Sequence, residues 1–543
     1  MRAIDLYAGV GGWSLGLRLA GVEVVAAYEW WKPAVETHRL NLGHDVVSTN
    51  IRELDLAALP KKIDFVVGSP PCTQFSYSNR GGAGDISDGL LDLVKFFEVV
   101  TYLKPRYWAM ENVPRVAKVI EEGFSTRGHP LYRFRELRPN VAVIDMSDFG
   151  VPQARRRCIA GVLPFELLRS YASRLPRSNL GTVISTLDAK LVTDPVWGVS
   201  LRRSQVTEME TEAPLNSEEQ RMNWDAKLFH PVYNNMSFPD DLSVPARTVT
   251  ATCTRVSRES IVIEEHARPG LFRRLSVRER ACLQSFPITY QFFGRSFSEK
   301  VKMVGNAIPP AFTYLVACAA RQIPPRALKL PSSVGKGLKA PSHLPKPTRP
   351  DQEGHTYPAT RRFRAAIKGL RFKSGMRFEL ANSTSSGGVE WRVRFFYGPS
   401  KDIREIELGS RMYRRLSQSK LSRELLETVE KEKTALLRRL KTTSPNALQD
   451  AWSRRGQGCG PYEIADALAH VAEAMFRQIG KLPETAWHAS AKLVMEAAGE
   501  LDDRTPASRR TKLEVNASAI LSGLIVGCWF NTLEWHRTAQ VAA

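Results

Sequence analysis

"AIDLYAGVGGWSLGLRLAG", Ala3 to Gly21, decides how this chain begins to fold. "AIDLYAG" reads as a strand and "WSLGLRLAG" as a helix, with Gly9, Gly11 and Gly12 at the turn between them. Glycines at such a turn let a ligand approach the backbone at a helix N-terminus. The next strand, in "VEVVAAYEW", ends near Glu29. A carboxylate about 20 residues after the glycine turn can hydrogen-bond ribose hydroxyls. The pair of features suggests an adenosine-containing cofactor. The glycine spacing is not G-x-G-x-x-G, so a dinucleotide is not required, and a surface turn with a solvated Glu remains the alternative.

The strand–helix alternation continues outward. A helix follows from Lys32 to Leu40, then a strand in "IDFVVGSP", a helix from Gly89 to Leu103, and strands in "RYWAMENV", "VAVIDMSDFG" and "RRCIAGVL". This pattern predicts an α/β fold: a mostly parallel, doubly wound, Rossmann-like sheet with helices on both faces. "DFVVG" is apolar throughout, as a strand covered on both faces should be. Residues 1–164 form this first domain. Periodicity weakens over 165–266, a small loop-rich domain, and helical patterns return over 267–322. "IPPRALKLPSSVGKGLKAPSHLPKPTRP" opens residues 323–354, which read as a semi-rigid basic linker. Residues 355–543 read as a mainly helical α+β module. Within it, Leu421, Leu425, Val429, Leu436 and Leu440 share one helical side, and Ile464, Leu468, Val471 and Met475 share another.

The chain has 543 residues, enough for two or three domains. Lys and Arg number 77 against 56 Asp and Glu, a net charge of +21. That excess suits a polyanion, nucleic acid first and an acidic membrane surface second. The seven cysteines include no C-x-x-C pair, which argues against a zinc site or a disulfide framework and for reduced thiols. No metal is expected. The N-terminus lacks a signal-peptide apolar region. The apolar run Ala519 to Phe530 is too short to span a bilayer and reads as a buried helix.

"VVGSPPCTQFS", Val66 to Ser76, places one thiol on a proline-stiffened loop just past a strand. If the strands are parallel, Cys72 lies on the same sheet edge as the glycine turn, where open α/β sheets bind ligands. A thiolate there can act as a nucleophile. "MENVP" puts Glu111 on that edge too, where a carboxyl group can hold or protonate a substrate. "FGVPQARRRCIAG" supplies Gln153, Arg155 and Arg157. Alternate strand residues share a face, so Arg155 and Arg157 could aim together at an anion or at the substrate of Cys72.

"DLYAGVGG", "YEW", "GSPPCTQFS", "ENV", "QARRR", "RRLSVRERACLQSFP" and "VGNAIPPA" occur in this order. Together they resemble the cytosine-5 DNA methyltransferases of bacterial and phage type, over residues 1 to about 322. The resemblance implies S-adenosylmethionine as methyl donor and a target cytosine rotated out of double-stranded DNA. It implies Cys72 as the nucleophile at ring carbon 6, Glu111 on the ring nitrogen 3 and amine edge, Arg155 near the base or its phosphate, and Arg157 holding the loop. For the cofactor it implies Tyr7 beside the adenine end and Ala8, Gly9, Gly11 and Gly12 along the methionine part. Glu29 would take the ribose, Trp30 would pack on the adenine, and Asn50 and Ile51 would lie at the adenine. Pro71 would sit near the sulfur, and Asn306 and Ala307 would close the site.

Two positions depart from the family. Thr73 stands where Gln usually follows the nucleophile, and Asn50 where Asp is common. Residues 165–266 would be the target-recognition domain, with "VPARTVTATCTR" near its end. Arg202, Arg203, Asn223, Asn234, Asn235 and Arg255 are candidates for base contacts, and plain phosphate contact or solvation is the competing reading for each. The function expected is sequence-specific cytosine-5 methylation in a restriction–modification or phage-defence system, by a cytoplasmic monomer with a cognate endonuclease or defence proteins as partners and no membrane. An RNA-directed enzyme on the same scaffold and a catalytically idle DNA-binding regulator are the competing readings. Residues 355–543 carry no recognised motif. They would add non-specific DNA affinity or dock a partner.

Overall fold

The computed structural model describes residues 1–71, 74–75, 86–228, 236–252, 254–350, 356–372, 376–385, 388–398, 403–499 and 507–539. The chain divides into two compact units. One joins Met1–Lys227 to Met236–Glu353, and the other is built mainly from Gly354–Ala543.

The first unit is organised by a seven-stranded sheet. Its strands are β1 (Arg2–Leu6), β2 (Glu23–Glu29), β3 (Val46–Ser48), β4 (Phe65–Gly68), β5 (Tyr107–Asn112), β6 (Asn140–Asp145) and β7 (Arg156–Val162), in the order β3-β2-β1-β4-β5-β7-β6. β1 to β5 are mutually parallel, and β7 runs antiparallel to both β5 and β6. Side chains alternate across the sheet. Ala3, Phe65 and Val67 enter the core on one face, and Ile4, Leu6 and Val66 the core on the other. All six are fully buried, as expected for strands covered on both faces.

The order reverses between β1 and β4. β1 is followed by β2 on one side, while β4 leads to β5 on the other. Ligands of open α/β sheets bind at this switch point, outside the carboxyl ends of the strands. Helices α1 (Gly12–Leu19), α2 (Lys32–Leu42), α3 (Ile86–Leu103) and α4 (Arg115–Ser125) connect the strands. The helix Pro310–Ala320 returns to pack against α1, and Thr313 Oγ1 donates to the Gly12 carbonyl at 2.8 Å. The apolar stretch Phe297–Ala320 is core: 94% of its most apolar window is buried, and it breaks into the helices Phe297–Asn306 and Pro310–Ala320.

Residues 165–266 are loop-rich, with short helices at Phe165–Ser170 and Leu180–Asp188, a longer one at Ser217–Leu228, and a small ribbon of Leu191–Thr193 with Ser200–Arg202. Leu168, Leu180, Val183, Trp197, Val249 and Ile263 belong to the same buried cluster as Ala3 and Phe65.

The stretch after 322 packs more closely than the semi-rigid basic linker that its composition suggests. Leu328 is buried, and Ile323, Leu330, Val334 and Leu338 pack on the main core. Tyr314 Oη donates to the Lys329 carbonyl at 2.7 Å, and Lys300 Nζ donates to the Lys346 carbonyl at 2.9 Å and also pairs with Glu208. His343 stacks on Phe293 with ring centroids 5.8 Å apart. Prolines extend the segment, but its aliphatic residues bind it to the unit as a strap.

The second unit has a four-stranded antiparallel sheet of Arg364–Arg371, Arg377–Ser385, Gly388–Tyr397 and Arg404–Ile406, in chain order. Helices Pro445–Trp452, Pro461–Ile479 and Ala517–Asn531 contact it. Phe378, Trp391, Val393 and Phe395 are buried, and Ile464, Leu468, Val471 and Met475 form the buried stripe of Pro461–Ile479. Ala517–Asn531 is a buried helix, as its apolar run predicts. The Leu421–Leu440 stripe is not one helix. Val429, at φ −110°, separates Lys420–Thr428 from Glu430–Lys441.

Candidate active site

β1 ends at Leu6, and the chain turns through Tyr7 to Gly11 into α1. Gly11 has φ +86°, a left-handed conformation that a side chain would strain, and a Cβ there would lie 3.0 Å from the His38 ring. Gly12 is the first residue of α1. Ala8 N donates to the Tyr28 carbonyl at 3.0 Å, tying the turn to β2. Glu29, at the end of β2, is buried. Its Oε2 accepts from Gly9 N at 2.8 Å, and its Oε1 accepts from Trp30 N at 2.9 Å and Trp31 N at 2.8 Å. Burial raises the pKa of this carboxyl, and the three backbone N–H groups oppose the rise. Nothing lies within 4 Å of the position a Gly9 Cβ would take, so the loop backbone faces open space beside that carboxylate.

The other predicted cofactor residues surround this loop unevenly. The Trp30 side chain is 67% exposed. Ile51 is buried, while Asn50 is exposed and uses its Oδ1 to accept from Arg52 N at 3.2 Å. Tyr7 Oη donates to the Asp92 carbonyl and carboxylate, both at 3.2 Å. Pro71 and Asn306 are exposed, and Ala307 is buried at the end of the helix Phe297–Asn306.

β4 is the immediate neighbour of β1, so the Gly68-Ser69-Pro70-Pro71 turn leaves the sheet beside the glycine loop. Ser69 N donates to the Leu6 carbonyl at 3.2 Å. Trp13 Nε1 from α1 donates to Ser69 Oγ at 3.0 Å, and Asn112 Nδ2 donates to the Pro70 carbonyl at 3.0 Å. Sequence reasoning passed over Trp13 and Asn112, although Asn112 stands in the quoted "ENV" directly after Glu111. Cys72 and Thr73 lie outside the described residues. Glu111 is buried at the end of β5, and Arg157 Nε lies 3.0 Å from its Oε1.

Arg155 and Arg157 do not aim together. β7 starts at Arg156, so Arg155 precedes the strand and escapes its alternation. Its guanidinium is buried and donates to the Val249 carbonyl at 3.3 Å and the Gly305 carbonyl at 3.2 Å, while Arg157 pairs with Glu111. Gln153, also fully buried, accepts from Val249 N at 2.8 Å and donates to Gln284 Oε1 at 2.9 Å. Thr248 Oγ1 donates to the Ala154 carbonyl at 3.1 Å. The loop before β7, the Thr248–Thr250 segment and Gly305 are therefore stitched together next to the Glu111–Arg157 pair.

Four other cysteines are buried, and burial pushes each thiol up: Cys158 and Cys528 to about 12, Cys318 to about 11, and Cys282 higher. The half-buried Cys459 is also raised, first by burial. None of these five is a thiolate at neutral pH. Among the described residues no group of three or more His, Cys, Asp or Glu could hold a metal.

Residues 1–320, more than half of the chain, match the profile of the C-5 cytosine-specific DNA methylases. The chain belongs to that family. The methylase is 29% identical over 326 residues to the Type II methyltransferase M.HgiDI of Herpetosiphon aurantiacus, covering 58% of this chain and 93% of the relative. It is 29% identical over 332 residues to the Type II methyltransferase M.HindV of Haemophilus influenzae, covering 59% and 96%. A solved S. pombe Dnmt2 methyltransferase aligns at 15% identity and a TM-score of 0.40, covering 60% of this chain and 99% of that one. The family profile ends at residue 320, and the remainder of the methylase lies beyond it.

The candidate base readers of the methylase separate by burial. Arg255 and Asn223 are interior. Arg255 pairs with Glu219 at 2.7 Å and Glu212 at 3.3 Å, and Asn223 Nδ2 donates to the Arg255 carbonyl at 2.8 Å. Neither can reach a base edge from there, and both instead brace the segment. Arg203 donates to the Leu187 carbonyl and lies 3.3 Å from Asp188. Arg202 is exposed, and Asn234 and Asn235 lie outside the described residues.

Proposed function

We propose that this methylase transfers a methyl group from S-adenosylmethionine to carbon 5 of cytosine in a specific double-stranded DNA sequence, through a covalent adduct of Cys72 with a base rotated out of the duplex. The observation that carries the reading is the clamp on the loop leading to Cys72. Trp13 holds Ser69, Asn112 holds Pro70, and the residue before Asn112 is the buried Glu111, itself held by Arg157. A stacked base hides its ring carbons, so the base must leave the duplex to meet these groups.

The donor residues suit S-adenosylmethionine. The Glu29 carboxylate can accept from ribose hydroxyls, the exposed Trp30 ring can pack on adenine, and the open backbone at Gly9 can pass the methionine part. Bound there, the cofactor supplies an electrophilic methyl group. Cys72 as thiolate adds to carbon 6, and the ring electrons become available at carbon 5. Glu111 holds the nitrogen 3 and amine edge as that charge shifts. After methylation, carbon 5 loses its proton, the double bond re-forms and the thiolate leaves. Arg155 acts as a positioning residue through the carbonyls it holds, not by touching the base with Arg157.

Residues 165–266 serve as the target-recognition region, and the likeness to bacterial Type II methyltransferases supports a restriction–modification role; the proposed setting is a cytoplasmic monomer with a cognate endonuclease or defence proteins as partners. The test is transfer of labelled methyl groups to unmethylated genomic DNA, with transfer RNA in parallel and Cys72→Ala as control. Label in DNA as 5-methylcytosine that disappears in the variant supports the reading. Label in RNA alone, or label retained by Cys72→Ala, overturns it.

A further inference from the structure

The second unit carries a surface the methylase site does not use. Residues 354–543 hold 31 Lys and Arg against 20 Asp and Glu, a net +11, while the far longer 1–353 holds 46 against 36, a net +10. Part of this excess is concentrated on one ridge. The helix Ser410–Gln418, "SRMYRRLSQ", contains no acid. Arg411, Arg414, Arg415 and Gln418 recur at helical spacing and are all exposed, whereas Leu416 is buried and the helix contacts Ala517–Asn531. Lys420 and Arg423 are exposed on the next helix, Lys420–Thr428.

Some other cations of this unit are neutralised. Arg392 lies 2.5 Å from Glu390, Arg394 lies 3.5 Å from Glu405, and Arg439 lies 2.9 Å from Glu463. On the ridge, Arg415 pairs with Glu496 at 3.1 Å and Lys420 with Glu424 at 3.7 Å. Arg411, Arg414 and Arg423 have no carboxylate partner among the described residues. Three guanidinium groups without a carboxylate partner within 13 residues make a local excess of positive charge that favours a polyanion. A chain whose family acts on DNA has that polyanion at hand.

We propose that the Arg411–Arg414–Arg423 ridge is a second DNA-contact surface, which grips the phosphate backbone without reading sequence and tethers the enzyme to DNA outside its catalytic site. Arginine suits this role because its planar fork donates two parallel hydrogen bonds to a phosphate. Such contacts add affinity through counterion release and carry no base information.

The test compares the full chain with an Arg411→Glu/Arg414→Glu/Arg423→Glu variant on random-sequence duplex DNA over a series of salt concentrations. The expected variant binds at least about 10-fold more weakly at low salt, and its log Kd against log salt slope falls by about two to three, one contact per lost arginine. Its methyl transfer at saturating DNA stays unchanged. That result stands apart from the catalytic proposal, since Cys72→Ser should lose methyl transfer and keep the full slope. An unchanged slope and affinity overturn the ridge as a DNA contact. So does a loss confined to vesicles of anionic lipid, which would make it a membrane surface. Should the Glu variant lose its cooperative melt, Arg→Gln at the same three positions decides, because it removes charge without adding repulsion.

Discussion

Arg157 Nε sits 3.0 Å from Glu111 Oε1, with both side chains largely buried where the start of β7 lies beside the end of β5. The pair fixes one rotamer of the carboxyl group proposed to hold the cytosine edge. Arg157→Ala leaves that carboxylate buried without its cation, a change that is costly when partners are interior. We expect kcat to fall about 10²-fold or more while DNA affinity changes little, since a positioned acid or base contributes about 10²–10⁴-fold. Arg157→Lys should recover only part of the rate, because a point charge does not reproduce the fork. Single-turnover methylation checks this, and an Arg157→Ala enzyme with wild-type kcat would remove Glu111 orientation from the mechanism.

Two buried groups near the glycine loop should oppose one another in pH-dependent stability. Asp5, bonded to Ser14 Oγ at 2.7 Å, is pushed up to about 7 by burial. His38, whose Nε2 lies 3.0 Å from His44 Nε2, is pushed down to about 3, mainly by burial and next by His44. Between about pH 4 and 6.5 the folded state holds the Asp5 proton that the unfolded state has lost, so Asp5 contributes stability that fades as pH rises. In the same window the unfolded state holds a His38 proton that the folded state lacks, so His38 contributes stability that fades as pH falls. The slopes are each about 1.4 kcal/mol per pH unit and of opposite sign. Asp5→Asn should therefore make stability fall more steeply on acidification, and His38→Gln should make it rise relative to wild type. Denaturant unfolding from pH 4 to 7 reads both, and parallel profiles for all three proteins would contradict the pairing.

The legible parts of the sequence were those fixed by local chemistry. β4 is apolar on both faces, so its place in a covered sheet could be read directly, and Glu29 and Glu111 stand at strand ends where function is expected. Arg155, Asn223 and Arg255 were misread because their partners come from far along the chain. Arg155 binds carbonyls 94 and 150 residues away, and Arg255 a carboxylate 36 residues away. No local pattern separates an interior arginine of that kind from one that faces DNA. The 323–350 strap was hidden for a related reason. Its Pro and Lys content is that of a spacer, while Leu328, Leu330, Val334 and Leu338 follow no single period that would mark a packed face.

That strap yields a prediction about boundaries. The family match ends at 320, yet cutting there would uncover the core that Leu328 and its neighbours fill. Leu328 alone stabilises by about 2 kcal/mol. A chain ending at Glu353 should remain folded and active in methyl transfer, whereas one ending at Gln322 should be aggregated or melt far lower. Within the full chain, Gly335→Ala should lower stability by about 1–3 kcal/mol. Its Cβ would fall 2.5 Å from both Cβ and the carbonyl oxygen of Trp197, which is fully buried. An unchanged melting temperature in Gly335→Ala would show that the strap is not seated on Trp197.

Gly305 makes the sharpest demand on the site itself. A Cβ there would lie 2.3 Å from the Thr250 carbonyl carbon and oxygen and from Ala251 N. Backbone cannot yield as a flexible side chain can, so Gly305→Ala must push the Thr248–Thr250 segment away. That segment is tied through Val249 to Gln153 and Arg155, and the Gly305 carbonyl is itself an Arg155 partner. The displacement therefore reaches the loop before β7 and, through it, the strand that carries Arg157. We expect Gly305→Ala to lower kcat about 10²-fold or more, the scale on which a misplacement of about 1 Å acts in a positioned site. The global loss of stability should be far smaller than the change in rate implies. Methyl-transfer kinetics beside a denaturant melt separate the two. A variant that melts early and is otherwise fully active below its transition would show that Gly305 serves packing alone.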